Sequence, residues 1–401
     1  MPKPSQAMGR TEFIALIAMM FSTVAFSMDA MLAAIPDIAD EIADGSVSHA
    51  AWILTSFVAG MGLGTFFAGP LSDAYGRKPI VYAGIVIYIL SAMAAWATKS
   101  LEWILVARFC QGLGAAGPRV VSMAMVRDLF SGREMARIVS IAMTIFILVP
   151  AIAPAMGHVI INAFGWRSIF GTFITFAVVL AIWMGTRYNE SLAVEDRRPL
   201  RMGLMLDAIR QLLTHKIVRL SILIQTLMLA MLFATLILIQ PIYDQIYNRG
   251  DTFPLWFGAV ALFSGTSSIL NAYVVTHFGM HRVVTLTLFI QICAGIFVLI
   301  SMTLVPTISF QLFVFWQFCL FSQAGLTMGN LNAISMEPMG HIAGMAASVV
   351  GSISTLGGAL IASPVSLLLS DTPAPLIISI LGFGLCATYL MRQINQQITE
   401  N

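Results

Sequence analysis

The sequence predicts an all-α membrane protein: twelve transmembrane helices arranged as two pseudo-symmetric six-helix bundles. Three observations carry that prediction. Of 401 residues, 58% are hydrophobic and only 10% charged, against roughly 25% charged in a soluble domain. Apolar runs recur along the chain, each close to the roughly 20 residues needed to cross a bilayer core. A polar, basic interruption between residues 187 and 216 divides those runs six and six.

Helix 1 is expected over residues 12–35, ending at Pro36, with an acidic loop behind it that carries Asp37, Asp40, Glu41 and Asp44. Lys3 and Arg10 before it resemble the start of a signal peptide. The apolar run is too long for one and contains Asp29, so it reads as an uncleaved first span. Helices 2 to 6 are expected at 50–71, 79–97, 103–126, 138–162 and 168–186. Helices 7 to 12 follow at 218–241, 254–276, 282–304, 307–330, 341–369 and 374–391. The two bundles then occupy residues 1–190 and 216–401, and 191–215 form a linker with Arg197, Arg198, Arg201 and Arg210.

Charge sets the orientation. Lys99, Arg167 and Arg249 are the loop cations of one side, and every other Lys or Arg outside the spans falls on the opposite side. The positive side faces the cytoplasm, which puts both termini and the linker there.

The connection between helices 2 and 3 concentrates glycine and charge: Gly69, Asp73, Gly76, Arg77 and Lys78. Glycine permits the sharp turn, and the two cations hold it at the cytoplasmic surface. The second half repeats this stretch at 272–282, where Gly279 aligns with Gly76 but Thr276 stands in the place of Asp73. A duplicated six-helix unit with a degraded second copy accounts for the echo.

Ionisable residues inside spans are the informative ones, because a charge at helix centre costs on the order of 2.5–3.5 kcal/mol on insertion scales. Asp29 is the one carboxylate well inside a span, and Arg108 in helix 4 lies at nearly the same depth. An ion pair, direct or bridged by water or ligand, is expected between them. Arg119 follows Arg108 by eleven residues, close to a whole number of turns, so the two share a face with Gln111, Gly112 and Ala115. That face is expected to line a wet cavity, with snorkelling to the interface as the alternative for Arg119. Ser22 and Ala33 suit a cavity wall on helix 1. Gln225 and Gln317 stand out among buried polar groups that either contact a substrate or hydrogen-bond between helices. The four cysteines lie in apolar runs without metal-binding spacing. No metal site is expected, no catalytic constellation rises above chance, and loop cations explained by topology leave no case for nucleic-acid binding.

These residues resemble the major facilitator superfamily, and within it the drug/proton antiporters of the bicyclomycin-resistance (Bcr/CflA) type. Gly69-x-Leu71-x-Asp73-x-x-Gly76-Arg77-Lys78 is similar to the superfamily's loop 2–3 signature. The run Arg108-Phe-Cys-Gln111-Gly112-Leu-Gly114-Ala115-Ala116 is similar to its helix 4 signature. Pro150, Pro154 and Gly157 in helix 5 resemble the antiporter motif, with alanines where glycines are usual. Met28-Asp29 through Pro36, Gly165-Trp166-Arg167 and His341-Ile-Ala-Gly344 also fit this group. The resemblance implies a rocker between two bundles, in which Asp29 and Arg108 couple proton entry to substrate exit. It also implies an inner charge cluster of Asp73, Arg77, Arg127 and Asp128 that locks one state. The helix dipole adds Asp73 docking against the start of helix 11.

The function expected is proton-coupled efflux of small amphipathic compounds across a bacterial inner membrane, by a monomer that needs no cofactor beyond the proton gradient. Export of an endogenous anionic metabolite or lipid through Arg108 and Arg119 is the alternative. A non-transporting membrane sensor is a third reading, which would ordinarily bring a soluble effector domain.

Overall fold

The computed structural model describes residues 8–197, 200 and 202–400. Twelve long helices form the two bundles. The first six are α1 (Arg10–Leu32), α2 (Trp52–Tyr75), α3 (Arg77–Ala97), α4 (Leu101–Leu129), α5 (Gly132–Phe164) and α6 (Ser168–Arg187). The second six are α7 (Lys216–Pro241), α8 (Phe253–Phe278), α9 (Met280–Leu304), α10 (Ser309–Met336), α11 (Ala343–Ala362) and α12 (Ala374–Glu400). Among the described residues, eleven spans are long and apolar enough to cross a membrane. The remaining helix is α4, 29 residues long, whose interior holds Arg108, Gln111 and Arg119.

Packing follows the physics of lipid rather than water. On α9, Leu286, Phe289, Phe297 and Ile300 face outward, whereas Leu288, Gln291 and Val298 are buried. The large apolar side chains take the lipid-facing side, and the Gln291 amide turns inward, where neither of its polar atoms has a hydrogen-bond partner among the described residues.

Several boundaries differ from expectation. Helix 1 ends at Leu32, and Ile35–Ile42 form a short second helix instead of an acidic loop. Pro36 sits in its first turn, where a missing N–H costs nothing. Ile35, Ile38 and Ala39 are buried beneath it while Asp37, Asp40 and Glu41 face out. Glu41 accepts from Trp166 Nε1 at 2.6 Å and Arg167 Nη1 at 2.5 Å, which ties this helix to the start of α6. The linker contains its own helix, Met202–Thr214, whose Leu212 packs with Val218, Ile222 and residues of α11. Arg198 and Arg201 lie outside the described residues. Helix 11 ends at Ala362 and passes into a 3₁₀ turn, Ser363–Leu368.

The echo between halves has a structural counterpart. Gly76 and Gly279 both adopt positive φ, 105° and 77°, and both cap the following helix, α3 or α9. Thr276 hydrogen-bonds within its own turn to the Tyr273 carbonyl at 2.7 Å. The residue after Gly279 is Met280, so the second copy keeps the turn without the cation that follows Gly76.

Two helix pairs join the halves. Along α2 and α11, Ser352 Oγ donates to the Gly62 carbonyl at 2.7 Å. Between α5 and α8, a methyl added to Gly258 would lie 2.5 Å from the Ala151 carbonyl oxygen.

Candidate transport site

Asp29 lies on the buried side of α1, only 5% exposed, and no hydrogen bond or ion pair reaches its carboxylate among the described residues. Directly behind it α5 comes close, since a methyl at Gly157 would lie 2.5 Å from the Ala30 carbonyl. The helix 5 motif therefore abuts α1 beside the acid. Pro154 is buried and Pro150 half-buried in the same stretch.

Arg108 is fully buried and reaches α1 at matched depth, but it meets a different group. Nη2 donates to the Ser27 carbonyl at 2.9 Å, Nη1 to Gln111 Oε1 at 2.7 Å, and Nε to the Ile53 carbonyl at 3.5 Å. The guanidinium also lies over the Phe57 ring, 4.4 Å from its centroid. Ser27 in turn shares a 2.5 Å hydrogen bond with Tyr88 OH of α3. The expected Asp29–Arg108 pair is absent in this state. Sequence position fixed the depth of both groups, but Asp29 and Ser27 are two residues apart, about 200° around α1, and it is Ser27 that faces α4.

The face of α4 that was expected to line a wet cavity is instead packed against α2. Gln111 and Ala115 are fully buried, and a methyl at Gly112 would run into the Phe57 carbonyl. Arg119 does share this face: its Nη1 lies 3.4 Å from Met61 Sδ, one turn along α2 from Phe57. It is half-buried, in contrast to Arg108. Ser22 donates its hydroxyl back to the Ala18 carbonyl at 2.7 Å, and Ala33 sits half-buried at the end of α1.

The α2–α3 turn is organised around Arg77, which is 3% exposed. Its Nε and Nη2 grip the two oxygens of Asp128 at 2.8 and 3.2 Å, and Nη1 donates to Asp73 Oδ1 at 2.5 Å and Ser72 Oγ at 2.7 Å. Arg77, Asp73 and Asp128 thus come together as a cluster. Arg127 points elsewhere, exposed, with Nη1 3.9 Å from where a methyl on Gly344 would stand. No hydrogen bond joins Asp73 to the start of helix 11 among the described residues, where its one side-chain partner is Arg77. Lys78 caps the far end of α6 through the Gly185 and Tyr188 carbonyls, at 3.2 and 2.7 Å.

Sequence reasoning missed Glu190. Its carboxylate accepts the backbone N–H groups of Arg77 and Lys78 at 3.0 and 2.9 Å, capping α3 from 113 residues away. Tyr88, Ser27 and Phe57 around Arg108 were missed as well. The one legible signal was a hydroxyl at position 27, two residues before a buried acid.

In the second half, Gln317 is fully buried and its Oε1 accepts from Tyr243 OH at 2.8 Å, while its Nε2 has no partner among the described residues. Gln225 is 3% exposed, and its Nε2 is also unpartnered among the described residues. Gln323 directs its amide at the sulfurs of Met228 and Met231, at 3.0 and 3.5 Å. A small cavity of about 10 Å³ between α7 and α10 is bordered by Met228, Leu232, Gln323 and Met328.

Known proteins place this geometry. The family description of the Major Facilitator Superfamily matches residues 15–362. The bicyclomycin resistance protein homolog of Haemophilus influenzae is 28% identical, over 91% of either chain. Multidrug resistance protein MdtL of Salmonella typhi is 28% identical over 83% of this chain and 82% of its own length. Among solved structures, a D-xylose-proton symporter superposes with a TM-score of 0.74 at 14% identity, covering 94% of this chain and 97% of that one. The human organic anion transporter MFSD10 superposes with a TM-score of 0.67 at 14% identity, covering 95% and 99%. At that identity the structural likeness speaks for the fold alone. The chain belongs to the Major Facilitator Superfamily and is a multi-pass membrane transporter, not an enzyme.

Proposed function

We propose that the protein exports small amphipathic compounds in exchange for protons across a bacterial inner membrane, with the Arg77 end and both termini in the cytoplasm. The relatives named for bicyclomycin and multidrug resistance support efflux. The observation that carries proton coupling is that Asp29 is buried with no partner among the described residues, while Arg108, which meets α1 at nearly the same depth on another face, is held only by neutral groups. Protonated, Asp29 is neutral and Arg108 stays on the Ser27 carbonyl. Deprotonated, it is an uncompensated charge in a span, and Arg108, which meets α1 about 200° around the helix from it, is the cation that relieves it. Moving Arg108 from Ser27 to Asp29 requires α1 to turn against α4 and α5. That turn links proton loss to helix movement, and so to the choice between two states. No cofactor enters this scheme, and a monomer suffices.

The test is flux into inverted vesicles with cationic, neutral and anionic compounds, with and without an imposed pH gradient. Asp29→Asn is expected to remove the pH-driven component while the protein still folds. Wild-type flux in that variant refutes proton coupling at Asp29.

A second reading rests on Arg119, a half-buried cation whose one polar contact among the described residues is a thioether. If the cargo is an anion, Arg119→Ala abolishes transport; for an amphipathic exporter it changes selectivity only.

A further inference from the structure

Halfway along α7 and α10, thioethers and one amide converge on a space too small for any organic group. Met228 and Met231 lie three residues apart on α7, so one side of that helix carries both sulfurs, and both residues are buried. Gln323 of α10, 3% exposed, directs Nε2 at Met228 Sδ at 3.0 Å and at Met231 Sδ at 3.5 Å. Met328, half-buried on α10, borders the same cavity of about 10 Å³ as Met228 and Gln323. The rest of the lining is leucine and alanine.

Ordinary packing does not account for the polar atoms of this cluster. A thioether is a weak acceptor, yet two of them face the same electropositive N–H group. The carbonyl oxygen of that amide, a far better acceptor, is buried with no hydrogen-bond partner among the described residues, which is uncommon. A water does not resolve this: it needs about two to four polar partners, and Gln323 is the one polar side chain in the lining. A bare cation does. It needs no more than about the volume of one water, and it takes the place between the sulfurs that the N–H now holds. Turning the amide over then brings Oε1 to the ion as a further ligand. Thioethers are soft and uncharged, and they select Cu(I) and its heavier analogue Ag(I). No charged side chain lines the cavity to balance a divalent ion, whereas a single charge spreads over polarizable sulfur.

We propose that Met228, Met231 and Met328, with the carbonyl oxygen of Gln323, form a binding site for a soft monovalent metal ion, Cu(I) or Ag(I). Cysteine and histidine spacing gives no sign of such a site, and among the described residues no group of three or more His, Cys, Asp or Glu is placed to hold a metal. The site lies in the second half, apart from Asp29 and Arg108, and an ion in it ties α7 to α10.

Silver ion alone, in chloride-free buffer, is the probe. The protein is full length in detergent, with Cys110, Cys293, Cys319 and Cys386 changed to alanine, so that any sulfur bound to the metal is a thioether. Titration is expected to show one tightly held Ag⁺ per chain, a sulfur-dominated first shell by X-ray absorption, and a melting temperature raised by the bound ion. Met228→Leu with Met231→Leu conserves volume, a change that cores tolerate, and is expected to lose the tight ion and the rise in melting temperature. Met328→Leu is the milder second variant, expected to weaken binding by about tenfold or more, since even groups behind the direct ligands are worth that. Met93→Leu, on the outer surface of α3, is expected to change neither readout. Excess Zn²⁺ should leave the Ag⁺ in place. Absence of a tight ion in the cysteine-free protein, its retention in the double leucine variant, undiminished binding in Met328→Leu, or displacement by Zn²⁺ overturns the assignment. These measurements need no proton gradient and no exported cargo, so their outcome is independent of the flux tests of proton-coupled export.

Discussion

Arg108 meets α1 at the backbone carbonyl of Ser27, 2.9 Å away, and leaves the carboxylate of Asp29, two residues along, without a partner among the described residues. A buried cation held by two carbonyls, an amide oxygen and an aromatic face is positioned but not neutralised. Fork geometry makes the arrangement possible, since three separate nitrogens reach α1, α2 and Gln111.

Arg108→Lys is therefore not conservative. A single ammonium cannot span Ser27, Ile53 and Gln111 together, and pH-driven flux should fall by about tenfold or more. Flux in inverted vesicles measures it, and a variant with wild-type flux would show that charge alone suffices.

Gly112 sits where α4 and α2 touch, with no space for a methyl against the Phe57 carbonyl. Gly112→Ala should force the helices apart, lift Phe57 from Arg108, and cost roughly 1–3 kcal/mol. A lowered melting temperature in detergent is the expected readout; an unchanged one would mean that α2 yields freely.

Asp128 holds Arg77 through both oxygens, and its side chain is 15% exposed. Asp128→Asn keeps the shape and loses the charge, which should weaken the cluster by about 1–3 kcal/mol. Exchange between states should quicken, read as faster modification of a cysteine placed at the α2–α11 seam. Unaltered modification rates would reduce the cluster to a topology signal.

Glu190 caps α3 through the N–H groups of Arg77 and Lys78. Glu190→Ala should cost about 1 kcal/mol, the usual value of an N-cap, and Glu190→Gln should recover part of it. Equal stability of the three proteins, measured by thermal unfolding, would show that the segment after α6 contributes nothing to the turn.

Hydrogen bonds from Arg167 and Trp166 hold the Glu41 carboxyl below its ordinary value of 4.5. A depressed carboxylate contributes stability above its unfolded value and loses that contribution as pH falls through the folded one. The loss should thus begin below about pH 4.5. It should be small, no more than about 1 kcal/mol, because the pair is partly solvated. Glu41→Gln should flatten the acid limb of melting temperature against pH, and an identical limb would exclude this contact as its source. Asp37 on the same short helix moves the other way, raised by partial burial and by Asp40 and Glu41, with His158 opposing.

Much of this was legible beforehand. The depth of Asp29 and Arg108 followed from counting residues along helices of fixed rise, and the structure brings α4 onto α1 at that depth. The turn at Gly76 and its echo at Gly279 followed from glycine's freedom at positive φ. The short helix at Ile35–Ile42 was hidden because its acidic residues resemble a loop, although Ile35, Ile38 and Ala39 already marked a buried face. Glu190 gave no local sign, since its partner Arg77 lies 113 residues distant.

The sequence by itself determined how many long apolar helices the chain forms, roughly where each lies, and which few of them carry charge. Hydrocarbon thickness acts on every segment separately, so composition and length are enough. Only the tertiary structure decided what each buried polar group faces. That depends on how far each helix is rotated and how closely glycines let its neighbour approach, so Arg108 rests on Ser27 while Asp29, two residues on, has no partner among the described residues.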